Sequence, residues 1–149
     1  MEKPYAYYLS RALEATGRFD RFDTHLLVDY REMMARNLTT WQEHGEPSRC
    51  DCHAWTSWPA ADYLTAILGI KPGLPGFREI LVEPSPVYDE ARGRMPTPVG
   101  PVEVDLRRTG GRLHARISGP AGVPVRVRLP GAEERLFPEG GSVEADAPA

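Results

Sequence analysis

"PVEVDLRRTGGRLHARIS", residues 101–118, decides the fold. Val102, Val104 and Leu106 alternate with Glu103, Asp105 and Arg107, and Leu113, Ala115 and Ile117 alternate with His114 and Arg116. Successive side chains of a strand point to opposite faces, so a period of two with one apolar set predicts a strand with one buried face. Thr-Gly-Gly-Arg (109–112) lies between the two runs and reads as a turn, which makes the stretch an antiparallel hairpin. Moving outward, "VPVRVRLP" (123–130) repeats the pattern with Val125, Val127 and Leu129, and "FREILVEPS" (77–85) reads as a strand closed by proline. "ERLF" (134–137) and "GSVEA" (141–145) offer less regular closing strands, and the tail "GGSVEADAPA" (140–149) is expected to fray. Short strands divided by Gly and Pro turns predict a small antiparallel β-sandwich. No aromatic platform occurs among these strands, so the sandwich is assigned packing support and no site.

Upstream of "IKPGLPG" (70–76) the period changes to that of a helix. Tyr5, Tyr8, Leu9, Ala12 and Leu13 share one face of a first helix, with Pro4 at its start and Gly17 closing it. A second begins near Asp20 or Asp23, either of which suits a cap, and carries Phe22, Leu26, Leu27, Tyr30, Met33 and Met34 to an end near Asn37. A third starts around Pro59, carries Tyr63, Leu64, Ile67 and Leu68, and meets Gly69 and Pro72 where a helix stops. The fold class is therefore α+β, with a helical segment at 1–72 and a sandwich at 73–149. Three amphipathic helices are few to enclose a core of their own, and they read as part of a larger helical array.

The bulk numbers narrow the partners. A chain of 149 residues that is 41% hydrophobic and 26% charged has the profile of a globular protein. A formal charge of −3 gives no electrostatic reason to expect nucleic acid or an anionic membrane. No apolar run reaches a membrane span. The first residues, "MEKPYAYYLSRALEATG", lack a signal-peptide core, and the two cysteines, Cys50 and Cys52, are too close for an unstrained bridge. Both read as free thiols, and the expected location is cytoplasmic.

Chemistry concentrates in "LTTWQEHGEPSRCDCHAWTSWP", residues 38–59. His25, His44, Cys50, Cys52 and His53 offer metal donors. Zinc ligands usually pair two to four residues apart, and Cys-x-Cys-His is too compressed to supply several ligands to one tetrahedral ion. No metal and no cofactor is expected. Cys52 beside His53 is a weak arrangement for nucleophilic catalysis, since adjacent residues seldom bring thiol and imidazole together. Carbohydrate chemistry fits better. A sugar ring presents apolar C–H faces between hydroxyls, so its site wants flat aromatics beside donors and acceptors. Trp41, Trp55 and Trp58 supply the first, and Glu43, His44, Asp51 and His53 the second. Glu43 could serve as base toward a water. The plain alternative for each Trp is core packing, and for Glu43 a solvated loop.

These residues resemble the C-terminal part of bacterial α-L-rhamnosidases and related six-hairpin glycoside hydrolases. The likeness runs through about residues 4–130 and rests on four ordered blocks: Thr39-Thr40-Trp41-x-Glu43; Asp51-Cys52-His53-Ala54-Trp55; Gly69-Ile70-Lys71-Pro72 with Pro75-Gly76-Phe77; and Met95-Pro96-Thr97-Pro98 with Gly100-Pro101. The resemblance implies the last helices of an (α/α)6 barrel followed by the β-sandwich. It also implies inverting cleavage of terminal α-L-rhamnose, with acid and base about 6.5–9.5 Å apart so that water fits between them. By it, Glu43 is the catalytic base, His53 lines the sugar site, and Trp41 and Trp55 are wall residues. The expected ligand is a rhamnose-containing glycan or glycoside. Two departures stand out. The family's general acid belongs to a barrel segment not found in this sequence, and Cys50 stands where relatives often carry Ser. The expectation is a C-terminal fragment, from a truncated gene or an internal start, inactive alone. Helix faces such as Tyr5/Tyr8/Leu9 and Leu26/Leu27/Tyr30 would then drive self-association or binding of a partner chain. The alternative is a carbohydrate-binding or accessory module without chemistry.

Overall fold

The computed structural model describes residues 3–22 and 26–148, and three helices precede eight strands within them. The cap candidate Asp23 and the donor candidate His25 lie outside the described residues. The chain divides into two compact units, 1–62 and 63–149.

In the first unit, a 3-10 turn at Lys3–Tyr5 leads into α1, Ala6–Ala15. The amides of Gly17 and Arg18 donate back to the carbonyls of Glu14 and Leu13, the paired closure of a Schellman motif. α2, Val28–Ala35, ends in the same way, with the amides of Asn37 and Leu38 donating to the Met34 and Met33 carbonyls. A 3-10 turn at Ala54–Ser57 then runs into α3, Trp58–Asp62. The aromatic core of this unit is Phe19, Phe22, Tyr30 and Trp58. Phe19 and Phe22 stack at 4.7 Å, and Trp58 meets Phe22 and Tyr30 edge-on at 6.1 and 5.8 Å.

Of the two helix faces expected to lie open, one does and one does not. α1 buries Ala6 and Ser10, while Tyr5, Tyr8 and Leu9 are exposed. The reason is polar: Ser10 Oγ donates to Asp62, and the Arg11 guanidinium reaches the same carboxylate, so the buried face is the one that serves this network. Burial of Asp62 pushes its carboxyl above the usual aspartate value, against the opposing pull of Ser10 and Arg11. The correction concerns the other face, Leu26, Leu27 and Tyr30. They are buried and do not form an open face, whereas Met34 is exposed.

The second unit opens with a π-helical turn, Tyr63–Ile67. Leu68 joins the sandwich core and Leu64 packs against it, so residues upstream of the first strand belong to this unit. Gly69 makes the reversal into the first strand at φ 71°, and a Cβ there would stand 2.1 Å from the Glu83 carbonyl carbon, so only glycine fits.

The eight strands are β1 Ile70–Leu74, β2 Glu79–Val82, β3 Glu90–Met95, β4 Val102–Thr109, β5 Arg112–Ala121, β6 Val125–Val127, β7 Arg135–Phe137 and β8 Gly140–Pro148. They form two four-stranded sheets, ordered β1-β2-β6-β7 and β3-β4-β5-β8. Ile70, Ile80, Val82, Val125 and Val127 from one sheet and Val102, Val104, Leu106, Leu113, Ile117 and Val143 from the other belong to one buried cluster, so the sheets pack face to face. The antiparallel expectation is corrected at one place: β2 and β6 pair in parallel, Ile80 opposite Val125 and Val82 opposite Val127. The tail is paired throughout its described residues. Residues 140–148 pair with β5, and Val143, Ala145 and Ala147 turn inward.

Candidate functional site

Residues 38–57 link α2 to α3 and follow an irregular path held by specific hydrogen bonds. The His53 amide donates to the Trp41 carbonyl at 2.8 Å, and the Glu43 amide to the Cys50 carbonyl at 3.0 Å. These bonds fold the segment back on itself, so that residues 41–43 lie beside 50–53. The Lys3 amide donates to the Glu43 carbonyl at 3.1 Å, which brings the start of α1 to the same place. Gln42, almost wholly buried, is the internal strut. Its side-chain amide donates to Glu46 at 2.7 Å and Asp51 at 3.0 Å and accepts from Arg36 at 3.3 Å. A buried amide with its partners satisfied holds a loop that has no ladder of its own.

Glu43 is buried to 9% exposure, and both its oxygens accept from the Arg49 guanidinium, one from Nε at 2.8 Å and the other from Nη2. This two-pronged pair holds the Glu43 carboxyl below the usual glutamate value. Partial desolvation opposes it, and His53 and His44 add smaller electrostatic contributions in the lowering direction. The carboxylate is therefore ionised at neutral pH, as a base must be. A carboxylate offers about four lone-pair sites and the Arg fork takes two, so it can still accept from a water. The same pairing lowers its appetite for a proton, because base strength follows pKa.

The sequence-expected wall residues separate into different environments. Trp41 is half-buried and packs at 5.5 Å on the Tyr30 ring. His53 is half-buried, one bond from Trp41 through its backbone. Trp55 is 53% exposed, and its nearest aromatic neighbour is Tyr5, centroids 6.3 Å apart. Trp58 is 5% exposed, and its indole N–H donates to the Lys3 carbonyl at 2.9 Å, so it is a core residue. Tyr30 is also locked in, its hydroxyl donating to the Thr56 carbonyl at 2.8 Å, and burial raises its pKa well above the usual phenol value. The structure brings Glu43, His53 and Trp41 into one hydrogen-bonded loop and hangs Trp55 at its outer end.

Sequence reasoning missed Arg49 and Gln42 in this loop and Tyr5 beside Trp55. Arg49 lies six positions after Glu43 with no periodicity linking them, so nothing in the spacing announces the pair. Cys50 and Cys52 are free, Cys52 exposed. Among the described residues no group of three or more His, Cys, Asp or Glu is placed to hold a metal ion. No helix among them is long and apolar enough to cross a membrane.

The family model of the bacterial alpha-L-rhamnosidase C-terminal domain matches residues 69–144, just over half of the chain. The chain belongs to that family. No curated relative matches. Among solved structures, the chain is similar to the native alpha-L-rhamnosidase of Aspergillus terreus (TM-score 0.76, 21% identity), with 95% of this chain covering 18% of that one. It is similar also to the alpha-L-rhamnosidase of Dictyoglumus thermophilum, at TM-score 0.70 and 21% identity, over 95% of this chain and 19% of the other. The alpha-L-rhamnosidase of Streptomyces avermitilis, solved with L-rhamnose bound, gives TM-score 0.76 and 21% identity, over 95% and 17%. The chain thus spans less than a fifth of the length of these solved structures, and at this identity the likeness is one of fold. The matched family segment begins downstream of the 38–59 loop and takes in β1 to β7 and the first half of β8.

Proposed function

We propose that this chain is the C-terminal portion of an inverting α-L-rhamnosidase-like glycoside hydrolase and carries the base side of its sugar site. The three helices are then the last of an (α/α)6 barrel, and the sandwich is the domain that follows it. The observation that supports this most is the agreement of two independent extents: a family match over 69–144 and a shared fold over 95% of the chain, helices included. Glu43 is the base, ionised and seated in a fixed loop; His53, Trp41 and Trp55 line the sugar; the ligand is a rhamnose-containing glycoside. Inversion needs an acid across the bond, and no described residue is assigned to that role. Without protonation of the leaving group the rate falls by about 10²–10⁴.

The chain by itself is therefore expected to release no nitrophenol from an aryl α-L-rhamnoside above background, while L-rhamnose binds weakly in calorimetry. Turnover by the purified chain that is abolished in Glu43→Gln would overturn the fragment reading and leave Glu43 as a competent base. A second reading, a carbohydrate-binding module without chemistry, draws on one observation: Arg49 occupies both oxygens of Glu43. It predicts sugar binding lost in Trp55→Ala and untouched in Glu43→Gln.

A further inference from the structure

The sheet β3-β4-β5-β8 has two open edges, and they differ in character. At β3, the Arg108 amide donates to the Asp89 carbonyl at 2.7 Å, and Glu90 stands opposite Arg107 in the register. Asp89 and Arg108 are therefore a hydrogen-bonded pair. Such pairs alternate along an antiparallel ladder, so Ala91, Gly93 and Met95 direct their backbone groups to β4, and Glu90, Arg92 and Arg94 turn theirs outward. Among the described residues nothing takes up those outward N–H and C=O groups, and the side chains of the same three residues are exposed. The inner face is covered where the edge is open: a Cβ on Gly93 would meet the Leu68 side chain at 2.6 Å. β8, the other edge, carries Glu144 and Asp146 on its outer face and ends in Pro148, which has no N–H to give. Two copies of β8 paired about Glu144 would set acid against acid, a common guard of an exposed edge.

The β3 edge complements itself. Laid antiparallel against a second copy about a two-fold axis at Arg92, Glu90 of each strand meets Arg94 of the other. Every outward N–H and C=O of the three residues then finds a partner. We propose that the β3 edge is a pairing surface for a second copy of this chain, joining two four-stranded sheets into one of eight strands. The charges select that register. A slip of two residues one way sets Arg92 against Arg94, and the other way leaves Arg94 opposite Tyr88, outside the strand. At the axis the two Arg92 side chains meet, and each stands opposite Asp105 of its own sheet, so two carboxylates attend the like charges. Arg94 already lies 3.4 Å from Glu103, but both ends of that pair are open to water, where a single ion pair contributes little. Arg94 can therefore take a second acid. A two-fold contact closes at two copies, whereas a β3-to-β8 contact would go on adding chains.

The test uses the full chain in sedimentation equilibrium up to about 1 mM, with amide hydrogen exchange read by nuclear magnetic resonance over the same range. A monomer–dimer equilibrium is expected. The amides of Glu90, Arg92 and Arg94 should gain protection as the dimer fills, while those of Glu144 and Asp146 exchange unchanged. Arg92→Pro removes one outward N–H and no bond to β4, and it should weaken the dimer at least about tenfold. Glu90→Arg and Arg94→Glu should each weaken it about five- to tenfold. The two combined in one chain should restore it to within about threefold, because the exchanged charges meet again; damage to the fold would show no such rescue. A double variant that dimerises no better than the single ones overturns the pairing. So does a chain that stays monomeric throughout, or one that forms an open series of oligomers. A dimer untouched by Arg92→Pro overturns it as well and moves the contact to another surface, such as the exposed Tyr5/Tyr8/Leu9 face.

Discussion

The helical unit and the sandwich keep their shapes by different means. In the sandwich, β4, β5 and β8 pair along most of their length, and their inward Val, Leu, Ile and Ala side chains are almost fully buried. Repetition does the work there, because each strand satisfies its backbone through its neighbour and its apolar face through the opposite sheet. The helical unit has short helices, one of ten residues and one of eight, both ending in Schellman closures without a side-chain cap at the start. Its order comes from single, non-repeating bonds: Trp58 to Lys3, Tyr30 to Thr56, Gln42 to Glu46 and Asp51, Ser10 to Asp62. Such a region can place varied chemistry close together, and each of its bonds is a point of failure. That is why the candidate site belongs to it.

Substitutions can break this contrast or sharpen it. The largest effect is expected from Trp58→Ala, which removes a buried ring and leaves the Lys3 carbonyl without its donor; it should cost about 3–5 kcal/mol in chemical denaturation and dissolve near-ultraviolet order in the helical unit. Leu106→Ala in the sandwich should cost about 2–5 kcal/mol, with the helical unit's aromatic signals unchanged near the midpoint if the two units unfold independently. A loss of the same signals in both variants at the same denaturant concentration would contradict the division.

Acid offers a smaller and more selective perturbation. The carboxyls of Glu43 and Glu46 are both held below the usual value of 4.5, Glu43 chiefly by the Arg49 hydrogen bonds and Glu46 by Gln42 and then Arg36. A carboxyl depressed in the folded state contributes stability that is present above its unfolded pKa and is lost as pH falls through its folded one. The loop should therefore loosen only below about pH 4.5, and Glu43→Gln should flatten that decline; Asp62, displaced upward by burial, opposes it by favouring the folded state as pH falls toward its unfolded value. Amide exchange at residues 41–53, followed from pH 6 downward, checks both. The smallest effect is expected from Trp55→Ala, within about 0.5 kcal/mol of the parent, since an open ring contributes little to folding. A larger cost would place Trp55 in the core and remove it from any sugar.

How far the sequence could be read follows the same contrast. β4, β5 and β6 were legible because Val102, Val104, Leu106, Leu113, Ile117, Val125 and Val127 alternate cleanly, and all of them face the core. β1 was not, since Pro72 and Gly73 look like a linker; nor was β3, whose Glu-Ala-Arg-Gly-Arg-Met carries no apolar face. β8 was legible only in part, as the closing strand 141–145, because alanine is too small to mark Ala145 and Ala147 clearly as inward. The closing residues Gly17, Asn37 and Gly69 were readable, because a left-handed end is a local demand on the backbone. The buried face of α1 was not, because Ser10 and Asp62 outweigh the tyrosines only once they meet. The residues of the site loop could be picked out by type. The Arg49 clasp on Glu43 and the nearness of Tyr5 to Trp55 could not.

The sequence by itself determined which residues alternate, where helices stop, and that aromatic, acidic and imidazole groups crowd into residues 38–59, because these depend on neighbours along the chain. Only the tertiary structure decided which strands adjoin, including the parallel pairing of β2 with β6, and which tryptophan is core and which is open. Those outcomes turn on bonds between residues far apart in sequence, such as Trp58 with Lys3, and a bond of that kind has no signature in either segment until folding has brought the two together.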